Sequence, residues 1–237
     1  ALDLLPAAGE AWPRIIVLEL SSFQLAITQT LPLTVATVLN VSPDHLDYHG
    51  SEAQYLAAKC RIFNAAGHVV VNTDAANITA YLPTAIPRIS FGLSTPEKDH
   101  DFGLLKDSNA QTWLCRGIQR LLKIKDLKIS GMHNASNVMA AFALVAALST
   151  ELEDIDWQPA VQAACAFGGL SHRCQWVREI DGVQWINDSK GTNIGATEQA
   201  LLGLGDSIAG KWILLAGGDG KGADFSALLR PLQQYVK

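Results

Sequence analysis

Residues 183–193, VQWINDSKGTN, join a short apolar run to a run of polar or small residues. The apolar part predicts a strand, and ligands of open parallel sheets collect beyond the carboxyl ends of the strands. Asp188, Lys190 and Thr192 would offer an acceptor, a positive charge and a hydroxyl to one small volume there. The alternative is a solvated surface loop.

A second lysine favours a binding site over a plain loop. Residues 211–216, KWILLA, also predict a strand, and residues 217–222, GGDGKG, follow it with Lys221. Two neighbouring strands would then each end in a polar turn that carries a lysine. We therefore expect Lys190 and Lys221 to converge on an anionic ligand, such as a carboxylate or a phosphate.

The composition is typical of a compact globular protein, with 49% hydrophobic residues in 237. The formal net charge of −5, without a basic tract, argues against a nucleic-acid-binding protein. The longest apolar run, residues 138–148, is shorter than the ~20 residues that a membrane-spanning helix needs. No signal peptide is visible at the start. The four cysteines form no C-x-x-C pair, which is typical of reduced thiols in a cytosolic protein.

Residues 15–18, IIVL, predict a strand buried on both faces of a parallel sheet, with Glu19 at its end. A carboxylate at the mouth of a buried strand is costly unless it is paired or metal-bound. Glu19 is therefore either a metal or ligand carboxylate or a residue that starts a helix. The next predicted strand, residues 33–41, leads to Asp44 and His45, which we expect at a second strand end near Glu19.

His45 and His49 could share one helical face, which raises the alternative of a zinc site. The sequence lacks the glutamate of H-E-x-x-H beside His45 and shows no third ligand at a recognisable spacing. Zinc is therefore the weaker interpretation of this pair.

Residues 51–63 predict an amphipathic helix with Ser51 as its N-cap. Lys59 lies in this helix beside alanines and a cysteine, which are apolar neighbours for an ammonium group. One interpretation is that its amine reaches out to water. The other is a lysine with a lowered pKa or a covalent modification.

The pattern continues with a third strand at residues 68–72, and then with hairpins between residues 88 and 128. Residues 131–137, GMHNASN, precede a helix that is apolar nearly all round and is therefore predicted to be buried. Asn134 and Asn137 lie three positions apart at its start, so both amides could face one ligand or could cap the helix.

A helix near residues 157–166 leads to residues 167–173, FGGLSHR, whose paired glycines predict a hinge or a domain boundary. A hairpin should follow at residues 175–186 because Asp181-Gly182 is a strong turn signal. A helix near residues 195–204, the strand at residues 211–216 and a helix from Ala223 predict the start of a second α/β unit. The chain opens on Ala1 and stops at Lys237 within a predicted helix, so we interpret it as a piece of a longer protein.

Taken together, these segments resemble the Mur ligases of peptidoglycan synthesis, and within that family the members that add D-glutamate. The matching segments occur in the family's order over nearly the whole chain: LELSSFQL at 18–25, LNVSPDHLD at 39–47, AAK at 57–59, GMHNASN at 131–137, GLSHR at 169–173, NDSKGTN at 187–193 and GGDGKGADF at 217–225. Two departures are Gly191, where many members carry Ala, and Tyr48, where many carry Arg. Neither position has a charged role here.

The resemblance implies an α/β fold in two parts. Residues 1–171 would be a partial central ATP-binding domain with a parallel, ATPase-like sheet, and residues 172–237 the start of a Rossmann-like C-terminal domain that binds the amino acid. The phosphate loop G-x-x-x-x-G-K-[ST] of such ligases is not in the sequence, so we expect it upstream of Ala1. We therefore expect the fragment alone to be inactive.

The implied reaction is ATP-dependent amide formation between UDP-N-acetylmuramoyl-L-alanine and D-glutamate through an acyl phosphate. The implied cofactors are ATP and two Mg²⁺ ions, with Glu19, His45 and a carbamylated Lys59 at the metal sites. The family's ATP-contacting positions correspond to Asn134, Asn137, Arg173 and Asp188, and its substrate-contacting positions to Ser21, Lys190, Thr192 and Lys221. Lys59, His45 and Lys190 would act in catalysis itself. We expect a cytoplasmic monomer whose partners are these small molecules, with no nucleic acid and no membrane.

Three rivals remain open on the sequence. A glutamate ligase like folylpolyglutamate synthase shares the architecture and also adds glutamate, and a non-catalytic nucleotide-binding module is the second alternative. A nicotinamide-dependent dehydrogenase could be argued from the glycines of residues 217–222, but their spacing is wrong and no acidic partner follows about 20 residues on.

Overall fold

The computed structural model describes residues 11, 13–148, 155–205, 210–220 and 223–237. Seven α-helices and eight β-strands give these residues an α/β fold, which confirms the predicted class. In chain order they are α1 Ser22–Ile27, β1 Leu33–Val38, α2 Leu46–His49, α3 Glu52–Cys60, β2 Ala66–Asn72, β3 Arg88–Phe91, β4 Phe102–Lys106, β5 Thr112–Arg116, β6 Gln119–Lys123, α4 Met132–Leu148, α5 Gln158–Ala166, β7 Gln175–Ile180, β8 Val183–Asn187, α6 Ile194–Gly205 and α7 Leu229–Tyr235.

Strands β1 to β6 form one mixed sheet in the order of the chain. The pairs β1–β2, β2–β3 and β3–β4 are parallel, and β4, β5 and β6 form an antiparallel meander at the far edge. The predicted hairpins between residues 88 and 128 are therefore present, except that β3 joins β2 as a further parallel strand. Helix α3 lies in the crossover between β1 and β2, as parallel neighbours require.

Both faces of the sheet are covered, which the alternation of side chains along β2 shows. Val70 belongs to the cluster formed with α4, where Met139, Ala143 and Ala146 are fully buried. Val69 and Val71 point to the opposite face and join the cluster that contains Phe63 of the segment after α3. Because side chains alternate along a strand, the unbroken valine run serves two cores at once.

Residues 15–18 do not form the predicted strand. Ile15 is 58% exposed and Val17 is 84% exposed, and no strand among the described residues pairs with this segment. An apolar run becomes a strand only where a neighbour takes up its backbone hydrogen bonds. The strand predicted at residues 15–18 is therefore wrong, whereas those predicted at residues 33–41 and 68–72 are present as β1 and β2.

The predicted strand at residues 211–216 is also wrong. Its only pairing in the described chain is an isolated bridge between Trp212 and Val236, and Leu215 is 82% exposed. Strand β8 pairs with β7 instead, in an antiparallel two-stranded sheet. The lysine-bearing turns therefore do not follow two neighbouring parallel strands.

The local predictions of the second half are confirmed where the signal was a turn or a helix. Asp181 and Gly182 both have positive φ, 50° and 76°, as the two-residue hairpin turn requires. Helices α5 and α6 lie close to their predicted bounds. All four cysteines are free, with Cys60 and Cys115 buried. Within the described residues, no helix combines the length and the apolar character needed to cross a membrane.

Candidate functional site

A cleft of about 340 Å³ opens beside the start of α1 and the end of α3. It brings together residues that are distant in the sequence: Glu19, Leu20, Ser21, Ser22, Phe23, Gln24, His45, Tyr55 and Lys59. A carboxylate, an imidazole and an amine thus share one volume.

The wall of the cleft is fixed by a capping box at the start of α1. The Ser21 hydroxyl accepts a hydrogen bond from the Gln24 backbone N–H at 3.2 Å, and the Gln24 side chain accepts one from the Ser21 N–H at 2.9 Å. Reciprocal bonds of this kind hold the first turn of a helix. Ser21 is therefore the residue that starts the helix, and Glu19 precedes it with an exposed carboxylate that is available to a ligand.

His45 reaches the cleft from the loop after β1 in a left-handed backbone conformation, with φ 52° and ψ 34°. The Asp44 carboxylate accepts a hydrogen bond from the His45 backbone N–H at 2.9 Å. The His45 ring packs against Phe23 with 4.9 Å between ring centroids. A non-glycine residue in this region costs of order 1–3 kcal/mol, and such residues cluster at functional sites.

The neighbouring His49 is occupied by a local contact. Its Nε2 lies 3.0 Å from the Ser22 hydroxyl oxygen, and its ring packs on Phe23 and Tyr55. In the part of the chain that the structure describes, no group of three or more His, Cys, Asp or Glu side chains is placed to hold a metal ion. The zinc alternative for His45 and His49 therefore gains no support.

Lys59 lies half-buried on α3, with its Nζ 5.1 Å from the centroid of the Tyr55 ring. Burial lowers its pKa, and the carboxylates of Asp44 and Glu19 oppose that shift. An amine in this position gives up its proton more readily than one in water. This favours a reactive lysine over one that extends into solvent.

The two asparagines of the GMHNASN segment lie inside the first turns of α4. Asn134 Nδ2 donates to the Ser130 carbonyl at 2.7 Å, and Asn137 Nδ2 donates to Asn134 Oδ1 at 3.4 Å. One amide hydrogen of Asn134 thus holds the preceding segment, while both side chains remain on one side of the helix. In both bonds an asparagine N–H donates, whereas an N-cap side chain accepts from a backbone N–H, so neither is a capping bond, and contact with a ligand stays a prediction.

The segments that carry Arg173 and Lys190 lie against each other. The Lys190 backbone N–H donates to the His172 carbonyl at 3.0 Å, and the Cys174 N–H donates to Asp188 Oδ1 at 3.0 Å. Asp188 is also close enough to His133 to act on its pKa, which places this carboxylate near the start of α4. The structure thus brings the candidate nucleotide positions of three segments into one region.

Not every predicted site residue joins the cleft. Lys190 and Thr192 are exposed and lie outside its lining as far as the chain is described. Lys221 falls outside the described residues, so its convergence with Lys190 stays a prediction.

Two contacts at the site were not singled out from the sequence. One is the contact of Tyr55 with Lys59, for which the four-residue spacing of the pair along α3 was the available signal. Asn193 donates from Nδ2 to Asp44 Oδ2 at 3.2 Å, across a separation of 149 residues that no local pattern reveals.

Comparisons with known proteins agree with this arrangement of segments. The model of the Mur ligase middle domain matches residues 3–145, and that of the Mur ligase glutamate ligase domain matches residues 172–237. The UDP-N-acetylmuramoylalanine–D-glutamate ligase of Legionella pneumophila (strain Paris) is 47% identical over 93% of this chain and 48% of its own length. The Pseudomonas aeruginosa PAO1 protein of the same name is 46% identical over 100% of this chain and 50% of its own length.

A crystal structure of MurF from Acinetobacter baumannii shares the fold, with a TM-score of 0.57 and 23% identity over 77% of this chain and 39% of that one. The chain spans about half the length of the curated relatives it matches. Because the middle-domain match alone covers more than half of its residues, the chain belongs to the Mur ligase family.

Proposed function

We propose that this chain is part of an ATP-dependent ligase that joins D-glutamate to UDP-N-acetylmuramoyl-L-alanine. The relatives that match it over most of its length carry that name. The observation that carries the proposal is the cleft shared by Glu19, His45 and a Lys59 whose pKa is lowered by burial. The cytoplasm would suit this function and the four free thiols.

The donor set of the cleft suits Mg²⁺ on one condition. Magnesium takes oxygen ligands, which the Glu19 carboxylate supplies. Lys59 as an ammonium would repel the cation, but its lowered pKa favours the neutral amine that reacts with CO2. The resulting carbamate would present two oxygens to the same cleft as Glu19 and His45. Bound Mg²⁺ would neutralise phosphate oxygens of ATP and of the acyl phosphate.

The proposed reaction has two steps. The substrate carboxylate oxygen attacks the γ-phosphorus of ATP and expels ADP, which forms an acyl phosphate. The neutral glutamate amine, after loss of a proton from its ammonium form, attacks the acyl carbon and breaks the bond to phosphate, which leaves as hydrogen phosphate with a second proton from the amine. Both steps bring anions together, so the protein's task is alignment and neutralisation of charge.

The roles of the remaining residues follow from charge and position. Asn134, Asn137, Arg173 and Asp188 would contact ATP, with Arg173 on phosphate and the two amides reached from the start of α4. Ser21 would lie nearest the reacting substrate, because it lines the cleft. Lys190, Thr192 and Lys221 would bind the incoming glutamate, the two lysines through its carboxylates.

We also propose two domains, residues 1–171 and 172–237, in a monomeric protein. The paired glycines Gly168 and Gly169 precede the boundary, and Gly169 has φ 92°, which a glycine adopts without strain. Movement at this boundary would bring amino acid to acyl phosphate and exclude water.

The test is glutamate-dependent ADP release by the intact protein with UDP-N-acetylmuramoyl-L-alanine or with a folate as acceptor. The muramoyl substrate should support turnover, and turnover with the folate alone would favour the folylpolyglutamate synthase-like alternative. Lys59→Arg keeps the charge but cannot form the carbamate, so kcat should fall roughly a hundredfold or more. The matched control is Lys125→Arg at an exposed site. Nucleotide binding without turnover on either acceptor would support a non-catalytic module.

A further inference from the structure

The Asp44 carboxylate connects the loop after β1 to the start of α6. Its Oδ1 accepts the hydrogen bond from the His45 backbone N–H at 2.9 Å, and its Oδ2 accepts one from Asn193 Nδ2 at 3.2 Å. Both Asp44 and Asn193 are partly buried, so water competes only weakly for this contact. One carboxylate therefore joins a residue of the cleft to the NDSKGTN segment.

Asn193 is itself fixed by the helix that it begins. Its Oδ1 accepts from the Ala196 backbone N–H at 2.8 Å, which is an N-cap bond. Beside it, a Cβ atom on Gly195 would lie 2.9 Å from Ser42 Cβ, so the helix start and the loop of Ser42 touch closely. The first turn of α6 thus rests on the loop that carries Asp44 and His45.

His45 needs such support because its backbone conformation is unfavourable. A left-handed non-glycine residue persists only where its surroundings determine it. Asp44 precedes it directly and holds its N–H, so the placement of Asp44 sets the direction in which the His45 ring enters the cleft. Partners that orient a ligating side chain affect affinity although they do not touch the ligand.

We propose that Asn193 is a positioning residue, which through Asp44 holds His45 in the cleft and couples the cleft to the seating of α6 on residues 42–45. A displacement of α6 would break the bond from Asn193, release Asp44 and loosen the His45 loop. The cleft would then be complete only while the later part of the chain is in place. The ligand of the cleft rests on the proposed function, whereas the contact itself does not.

The experiment separates the cap from the connection to Asp44. Asn193→Ser and Asn193→Asp both keep an N-cap oxygen, but serine is too short to reach Asp44 and aspartate places a second carboxylate against it. The control is Asp156→Ala, which removes a side-chain hydrogen bond to the Gln158 N–H at the first residue of α5, away from the cleft. The intact protein is used throughout.

The first measurement is hydrogen exchange by mass spectrometry without any ligand. Both Asn193 variants should exchange several-fold faster in a peptide covering residues 44–49, while Asp156→Ala leaves that peptide unchanged. Unchanged exchange at residues 44–49 in both Asn193 variants would overturn the proposal, whatever the metal data show.

The second measurement is Mn²⁺ binding followed by electron paramagnetic resonance, with Mn²⁺ alone as the probe. The Asn193 variants should bind Mn²⁺ about tenfold more weakly than the unaltered protein. A double variant that combines Asp44→Ala with either Asn193 substitution should bind Mn²⁺ no more weakly than Asp44→Ala alone. Faster exchange with an unchanged Mn²⁺ affinity would overturn the positioning role. If the unaltered protein binds no Mn²⁺, the metal role of the cleft is refuted. Faster exchange in the Asn193 variants would then still support the structural coupling.

Discussion

The amine of Lys59 lies over the face of the Tyr55 ring, one helical turn earlier on α3, with 5.1 Å between Nζ and the ring centroid. Burial raises the pKa of Tyr55, with a smaller contribution from Asp44, so the phenol stays neutral beneath the amine. The ring shields Lys59 from water on one side, and the Asp44 and Glu19 carboxylates act on it electrostatically. Burial therefore lowers the pKa of Lys59, while the two nearby carboxylates raise it.

Replacing Lys59 by Met should change the pH dependence of stability. The unfolded chain keeps this lysine protonated up to its ordinary pKa of 10.5, whereas the folded protein releases the proton at lower pH. Between those two pKa values the unfolded state binds more protons, so stability rises with pH. Lys59→Met should raise Tm near pH 7 and reduce the increase of Tm with pH.

Thermal unfolding between about pH 7 and 10.5 in CO2-free buffer, which keeps Lys59 an unmodified amine, tests this with Lys125→Met as the exposed control. Cys60, a buried thiol whose pKa is raised from 9.0 to about 11, has an effect of the opposite sign, but it is present in every variant compared. Equal slopes for Lys59→Met and the unaltered protein would contradict the prediction.

His133 should make the protein sensitive to acid. Burial lowers its pKa from 6.5, and the Asp188 carboxylate opposes that shift only partly. As the pH falls below 6.5, the unfolded state takes up a proton before the folded state does, so stability is lost until the folded pKa is reached.

His133→Leu should remove this loss of stability, as Tm measured from about pH 8 to 5 will show. Near neutral pH its Tm should be equal or higher, because His133 Nδ1 is buried without a hydrogen-bond partner. His100→Leu, at a partly exposed histidine whose Nε2 lies 3.8 Å from Asp101 Oδ1, is the control. If the Tm of His133→Leu falls between pH 8 and 5 as much as that of the unaltered protein, another group is responsible.

Gly203→Ala should disturb the packing of α6 on α4. A Cβ atom at this position would lie 2.4 Å from His133 Nδ1 and 2.7 Å from its Cε1. Overpacking of this kind costs roughly 1–3 kcal/mol in the free energy of unfolding. Gly210→Ala has no neighbour within 4 Å and should cost little.

Urea unfolding of Gly203→Ala, Gly210→Ala and the double variant Gly203→Ala with His133→Ala measures this effect. The second substitution removes the clashing ring, so the double variant should lose less unfolding free energy than Gly203→Ala and His133→Ala lose separately when their losses are added. A Gly203→Ala variant as stable as Gly210→Ala would refute the close approach.

Arg61 should support the wall of the cleft from behind. Its Nε donates to the Leu25 carbonyl and one terminal nitrogen donates to the Thr28 carbonyl, each at 2.9 Å, which holds the end of α1. Arg61→Ala should lower the free energy of unfolding by roughly 1–3 kcal/mol in urea titrations. Arg61→Lys should recover only part of the lost unfolding free energy, because the ammonium group of lysine cannot reproduce a contact that two guanidinium nitrogens make with two carbonyls.

The control for this prediction is Arg88→Ala, which removes one exposed hydrogen bond to the Pro83 carbonyl. Its cost should be well under that of Arg61→Ala, since exposed contacts contribute little. Equal losses for the two arginines would show that α1 is held by other contacts.

The sequence by itself determined the features that depend on near neighbours. The Ser51 hydroxyl caps α3 as predicted, accepting a hydrogen bond from the Gln54 N–H at 3.3 Å. The turn at Asp181 and Gly182 closes the predicted hairpin, because its two left-handed residues already twist the chain back on itself. Ordered motifs along the chain also identified the family, which the comparisons confirm.

Only the tertiary structure decided which apolar runs became strands and which polar residues met. The run with Val69 to Val71 is a strand because parallel neighbours lie on both sides. Within the described part of the chain, the apolar residues 15–18 and 213–215 have no strand beside them and are exposed. Likewise Asp44 contacts Asn193, which lies 149 positions later in the sequence. Hydrogen bonds between strands and between distant side chains depend on how the whole chain packs, and a local pattern carries no information about that packing.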